Sequence, residues 1–196
     1  MAVVDHVLRT ERLILRPVTA GDHAALLAHW AAPDVSRFLF DGATLSASEI
    51  TEAIEDSARD FGRSGYGLWL IHEKHLADAA RTDADPPDAD PPDADLPNAD
   101  LADAAVVGTA GLRPLENIGL EVFYSLAPGS WGKGYATEAA RAVLDRALGP
   151  LGLPEVLAEI DAGNTASIAV IERLGMTPFE VVPGLLGPMT RYRKTR

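Results

Sequence analysis

The chain has 196 residues, 47% of them hydrophobic and 23% charged, the size and balance of one soluble globular domain. It contains no cysteine, which excludes disulfide scaffolds, zinc–cysteine sites, iron–sulfur clusters and a cysteine nucleophile. A net charge of −12 opposes a nucleic-acid backbone as partner and favours a cationic or neutral substrate.

The elements follow in chain order. The opening MAVVDHVLRTERL lacks the basic-then-apolar pattern of a signal peptide. No apolar run approaches the roughly 18 residues of a membrane span, so a cytoplasmic protein with no membrane partner is expected. RLILRPV (12–18) alternates basic and apolar residues and predicts a half-buried strand. AALLAHWA (24–31) predicts a short helix stopped before Pro33. Ser46 and Glu49 form a capping-box signature. Behind it Ile50, Ala53, Ile54, Ala58 and Phe61 share one helical face, with Gly62 as the stop.

YGLWLIHEKH (66–75) and AAVVGTAGLRPL (104–115) predict two strands of a β-hairpin. Between them, residues 82–103 repeat DADPP and carry aspartates 83, 85, 88, 90, 93, 95, 100 and 103, which account for most of the net charge. The segment has almost no apolar bulk to offset its ordering entropy, so a disordered or polyproline-like insertion is expected. It lacks the glycine and terminal glutamate of a calcium loop. Closure entropy grows slowly with length, so a hairpin tolerates such an insertion. The expected organisation is a single domain over 1–196 with 82–103 inserted in a hairpin.

GLEVFYSLAP (119–128) predicts a strand closed by Pro128. The loop Ser130-Trp131-Gly132-Lys133-Gly134-Tyr135-Ala136-Thr137 leads into a helix on which Ala136, Ala139, Ala140, Val143, Leu144, Ala147 and Leu148 form one apolar stripe. PEVLAEID (154–161) predicts the next strand, Asn164 caps a helix that Gly175 ends, and MTPFEVV and LLGPMTRYRK predict two final strands. The sum is an α/β (α+β) domain with a strand–glycine loop–helix unit near its centre.

That unit carries the chemistry. The first helical N–H groups lack intrahelical partners and the helix dipole adds positive potential, which suits a phosphate or pyrophosphate; a plain glycine turn is the alternative. A P-loop requires lysine where Tyr135 stands. A dinucleotide fingerprint requires glycine or alanine where Thr137 stands. His72 and His75 have a metal-like spacing without convincing further ligands, and no metal is expected.

EVFYSLAPGSWGKGYATEAARAVLDRA, AEIDAGNTASIAVIERLGM and the opening TERLILRPVTAGD together resemble the GNAT acetyltransferase superfamily, and most closely its ribosomal-protein N-terminal acetyltransferase subgroup. In the family's phosphate-loop pattern Gly134 and Ala136 match, while Trp131 replaces a basic or amide residue. The resemblance implies a mixed, strongly twisted sheet, flanked by helices, whose central strands 119–126 and 154–161 splay apart around acetyl-coenzyme A. It implies that the pantetheine arm pairs with the backbone near Tyr124, Ser125 and Leu126. The pyrophosphate would rest on the loop Trp131, Gly132, Lys133, Gly134, Tyr135, Ala136 and Thr137. Lys133 adds a point charge there or is simply solvated.

The implied reaction is direct acetyl transfer to a primary amine, on a protein N-terminus or a small molecule. Such an amine must lose a proton before it attacks, the oxyanion needs a donor, and the departing thiolate benefits from a proton. The resemblance makes Glu121 the base; an exposed strand carboxylate is the alternative. It assigns Asn164 to the pantetheine or a catalytic water, beside its role as helix cap. Ser167 is the candidate assistant at the sulfur. The family's tyrosine acid is missing, since the corresponding stretch is Ala169-Val170-Ile171. A non-catalytic coenzyme A-binding sensing module of the same fold is the rival reading. The oligomeric state is left open between monomer and homodimer. Trp30, Phe38 and Phe40 are read as core or as wall of the acceptor pocket.

Overall fold

The computed structural model describes residues 6–74 and 106–196. Its centre is an eight-stranded, mostly antiparallel sheet of order β1-β2-β3-β4-β5-β6-β8-β7. The strands are β1 (Leu8–Arg9), β2 (Leu13–Pro17), β3 (Leu68–Glu73), β4 (Gly108–Leu115), β5 (Gly119–Leu126), β6 (Glu155–Asp161), β7 (Thr177–Gly184) and β8 (Gly187–Thr195). The helices are α1 (His23–Trp30), α2 (Pro33–Leu39), α3 (Ala47–Ser64), α4 (Tyr135–Leu148) and α5 (Thr165–Arg173). The fold class expected from the sequence is the one observed. The insertion over 82–103 and His75 lie outside the described residues, but β3 and β4 on either side pair antiparallel, Leu68 opposite Gly111.

Two apolar cores lie on opposite faces of the sheet. On one, the α4 stripe Ala139, Ala140, Val143, Leu144 and Ala147 packs with Val122, Leu126, Val156, Ala158 and Ile171. On the other, Leu26, Trp30, Val35, Ile50 and Ile54 of α1–α3 cover Val18, Leu68 and Leu70, with Phe123 packed against them. Strand alternation therefore sends Val122, Tyr124 and Leu126 of β5 towards α4. It sends Glu121, Phe123 and Ser125 towards α1–α3.

Three expectations change. β2 is buried on both faces, including Arg16, because a sheet covered by helices on both sides leaves no wet face. Arg16 is accommodated by a bidentate ion pair with Asp22, at 2.6 and 2.8 Å. Pro33 does not merely stop α1; it occupies the first turn of α2, where its missing N–H costs nothing. Gly62 lies inside α3, which runs on to Ser64 and is capped by Gly65. The Ser46–Glu49 capping box is present as expected, the Ser46 amide donating to the Glu49 carboxylate at 2.7 Å.

β5 and β6 position the site. They are the parallel neighbours at the centre of the sheet, and a single register pair, Glu121 with Leu157, joins them. Beyond it the strands part and leave the facing backbone edges of β5 and β6 without a ladder.

Candidate active site

A cleft of about 1500 Å³ fills the opening between β5 and β6. Every candidate residue from the sequence lines it except Lys133: Glu121, Tyr124, Ser125, Leu126, Trp131, Gly132, Gly134, Tyr135, Ala136, Thr137, Asn164 and Ser167. Two walls enclose it, one from the α4–α5 side and one from the α1–α2 side.

The α4–α5 wall is built around the glycine loop. Gly134, at φ 82°, is the N-cap of α4 and provides no side-chain cap, so the first amides of the helix are free of one. A side chain at this φ would be strained, and its Cβ would meet Arg12 Nη2 at 3.4 Å. The loop is held in place by residues that the sequence reading passed over. Glu138, in the first turn of α4, accepts from the Thr10 hydroxyl at 2.6 Å, the Arg12 amide at 2.8 Å and Arg12 Nε at 2.8 Å. Arg12 Nη1 also donates to the Lys133 carbonyl at 2.9 Å. Burial alone would raise the Glu138 carboxyl; these donors outweigh it and pull it below the usual range.

The Lys133 ammonium stands 5.6 Å over the Tyr135 ring. The Tyr135 hydroxyl donates to Glu73, so that side chain anchors the helix to β3. Trp131 is half exposed, and its indole N–H donates to the Leu126 carbonyl at 2.9 Å, covering the end of β5. Asn164 caps α5 by accepting from the Ser167 amide at 3.1 Å. The Tyr124 hydroxyl crosses the opening and donates to the Ser167 carbonyl at 3.2 Å. Burial pushes the Tyr124 phenol up to about 12, so it stays protonated at neutral pH.

On the opposite wall Glu121 is buried, only 4% exposed, which rules out a merely exposed strand carboxylate. Arg113 Nε donates to it at 2.6 Å. Desolvation is the largest influence and raises its pKa; Arg113 opposes this without cancelling it, and Glu159 adds to it by like charge. A carboxylate poised above its ordinary value is better matched to taking a proton near neutral pH.

Beyond Glu121 lies a buried polar chain that one sequence could not reveal. Trp30 Nε1 donates to Thr109 Oγ1 at 3.2 Å, Thr109 Oγ1 and Ser125 Oγ are 2.7 Å apart, and Ser125 Oγ is 2.9 Å from His29 Nε2. Indole can only donate, so Thr109 accepts from it and its own proton is available to Ser125. The chain ends on His29, whose pKa burial lowers to about 4, so a neutral imidazole shares the last hydrogen bond with Ser125. Trp30 packs edge-on to Phe40 at 5.1 Å in the core, while Phe38 lines the cleft.

A backbone opened at one register pair, with an uncapped helix N-terminus above it, is a cradle for an extended chain that ends in a diphosphate. A family model described as an acetyltransferase (GNAT) domain matches residues 12–177. The chain belongs to the GNAT acetyltransferase family. Protein YkkB of Bacillus subtilis is 44% identical over 191 residues, spanning 95% of this chain and 94% of that protein. An acetyltransferase of Agrobacterium tumefaciens superposes with a TM-score of 0.71 at 25% identity, over 97% and 94% of the two chains. RimL, a ribosomal L7/L12 alpha-N-protein acetyltransferase solved with coenzyme A, shares the fold at TM-score 0.70 and 15% identity, over 96% and 97%. Among the described residues no group of three or more metal-ligating side chains gathers, and no helix is long and apolar enough to cross a membrane.

Proposed function

We propose that this member of the family transfers an acetyl group from acetyl-coenzyme A directly to a primary amine, in the cytoplasm. The observation that carries the reading is the single Glu121–Leu157 pair, with a buried carboxylate at the crotch and free amides at the far end of the opening. The residues fit the cofactor: the amides from Gly132 to Thr137 would take the pyrophosphate, and the β5 backbone at Tyr124–Leu126 would pair with the pantetheine. Asn164 would meet the same arm from the α5 side. The cofactor supplies an acetyl group activated as a thioester. RimL, solved with coenzyme A, is an alpha-N-protein acetyltransferase by name, which agrees with an amine acceptor.

Glu121 would first take the ammonium proton, leaving a neutral nitrogen to attack the thioester carbon; as the carbon–sulfur bond breaks, the nitrogen gives up its second proton to water. Ser167, or water held near it, would give the departing thiolate a proton, and the proton released by the nitrogen would restore it through water. The domain is read as one unit over 1–196 that accommodates the 82–103 insertion at its β3–β4 hairpin.

The test is thiol release from acetyl-coenzyme A across a panel of peptides and amines. The chain has no cysteine and adds no thiol background. Release that depends on the amine is expected. Glu121→Gln should lower turnover by roughly 10²–10⁴ while coenzyme A still binds. Unchanged turnover in that variant would reject Glu121 as base. The rival reading is a coenzyme A-binding module without turnover, and one observation favours it: α5 carries Ala169-Val170-Ile171 where the family places its tyrosine. Tight coenzyme A binding with no thiol release for any amine would decide for that module.

A further inference from the structure

Asp161 is a carboxylate that the fold leaves unmatched. It ends β6 where the strands have parted, it lines the cleft, and it is only 8% exposed. Its Oδ1 has no hydrogen-bond partner. Alternation along β6 places it with Leu157 and Glu159 on the α1–α2 face, the face of Glu121. Burial raises its pKa, and the Asp41 carboxylate raises it further. A buried charge without a partner is costly unless something in the working complex supplies one.

The neighbouring carboxylates do not share this state. Glu121 is matched by Arg113 at 2.6 Å and Glu159 by Arg191 at 2.6 Å. Asp34 of α2 also lines the cleft, and among the described residues no cation pairs with it. The other arginines that line the cleft, Arg9, Arg12, Arg141, Arg146 and Arg173, lie on β1, on the approach to β2, and on α4 and α5. On that side the arginines are set against Glu11, Glu138 and Asp145, whereas among the described residues no cation pairs with Asp34 or Asp161.

The charge balance that follows rests on the amine-acetylating reading of the cleft. The reacting nitrogen must be neutral when it attacks, so it leaves no positive charge for Asp161. We propose that Asp161 binds a second ammonium of a polyamine-type acceptor, a charge the product retains. Asp161 lies four residues beyond Leu157, the partner of Glu121. At ~3.3 Å per residue the two positions are ~13 Å apart along the strand. That separation suits an extended linear triamine and exceeds the reach of a short diamine.

The test is calorimetry on the full chain saturated with coenzyme A, titrated with spermidine and with 8-amino-1-octanol, a single amine of similar length. Spermidine should bind at least about tenfold more tightly, and Asp161→Asn should bring the ratio close to one. Asp41→Asn, which removes the carboxylate that acts on Asp161, should lower the ratio by more than about twofold and serves as the second variant if Asp161→Asn fails to fold. Equal affinity of the two probes for the parent would overturn the proposal. So would an unchanged ratio in both variants, or a loss of coenzyme A affinity in Asp161→Asn as large as the loss for spermidine. Binding is read without turnover. Spermidine bound through Asp161 but never acetylated would count against the acetyl-transfer reading and leave the cation site standing.

Discussion

The two walls of the cleft are both tied to β2 and its approach by an arginine–carboxylate pair, and the pairs differ in kind. Arg16 grips Asp22 with both side chains almost fully buried, at 3% and 6% exposed. Arg12 grips Glu138 with side chains 45% and 16% exposed. The buried pair fixes the turn into α1 and so the wall proposed to face the acceptor. The half-exposed pair fixes the glycine loop and so the wall proposed to hold the cofactor. A loop whose working groups are backbone amides needs only to be held in register, and water can share in holding it. A wall that keeps a carboxylate buried beside a polar chain needs its helices locked from within.

The largest effect should come from breaking the buried clamp. Arg16→Ala leaves Asp22 buried and unpaired, which costs on the order of 3–5 kcal/mol. Chemical denaturation should show that loss, and acceptor affinity should fall with it in whatever fraction stays folded. Arg12→Ala should unfold the chain far less and instead weaken coenzyme A binding in calorimetry. Equal stability losses in the two variants would erase the distinction between the walls.

Acid separates the walls a second way. His29 sits in the acceptor wall with a pKa lowered from 6.5 to about 4. The unfolded chain binds a proton on this histidine between those values and the folded chain does not, so folding stability falls as pH drops from 6.5 to about 4 and levels off below. The shift corresponds to about 3 kcal/mol. Denaturation midpoints of the parent and His29→Gln measured at pH 7 and pH 4.5 should converge towards acid, because the variant lacks the titrating group. Parallel pH curves for the two proteins would show that His29 titrates normally. Glu121 moves the other way in activity. Its carboxyl is raised by burial and held down by Arg113, so Arg113→Ala should shift the acid limb of the turnover profile to higher pH. A limb that stays in place would mean Arg113 does not govern the base.

The cofactor wall was largely legible in the sequence because its determinants are local. A glycine pair, an apolar stripe at helical spacing and an asparagine cap each lie within a few residues, so 130–137, α4 and Asn164 were found from pattern alone. Resemblance supplies the roles proposed for Glu121 and Ser167. The acceptor wall was not legible, since its contacts span the chain. Ser125 meets His29 across 96 positions, and Trp30 meets Thr109 across 79. No periodicity encodes such a meeting. Asp161 reads as an ordinary strand-end residue until its burial is known. The half-buried reading of β2 failed for a related reason. Alternation in RLILRPV suggests a wet face, but Asp22, on the turn that follows the strand, takes the place of water at both terminal nitrogens of Arg16.

Asn164 should give a smaller effect that tests whether one side chain serves both structure and cofactor. Losing its bond to the Ser167 amide costs about 0.5–2 kcal/mol. Asn164→Asp preserves the cap and Asn164→Ala removes it. If the side chain also meets the pantetheine arm, both variants should weaken coenzyme A binding while only the alanine variant loses stability. A loss of stability in the alanine variant with intact coenzyme A affinity in both would restrict Asn164 to capping.

The smallest effect should be at Lys133, and it is the sharpest test of how the loop works. Its carbonyl is fixed by Arg12 at 2.9 Å, while its ammonium rests over the Tyr135 ring and does not line the cleft. An exposed lysine near a phosphate acts as a screened point charge, falling off over a Debye length of about 8 Å in physiological salt. Backbone amides act at hydrogen-bond range and are screened much less. Lys133→Ala keeps the carbonyl and removes the charge, so coenzyme A affinity should fall by less than about threefold at physiological salt, and by more at low salt. Gly134→Val keeps the charge and forces a β-branched residue to φ 82°, so it should cost far more at any salt. Calorimetry of both variants at two ionic strengths reads the contrast directly. A large, salt-dependent loss in Lys133→Ala with a mild one in Gly134→Val would mean that charge, rather than amide geometry, holds the phosphates.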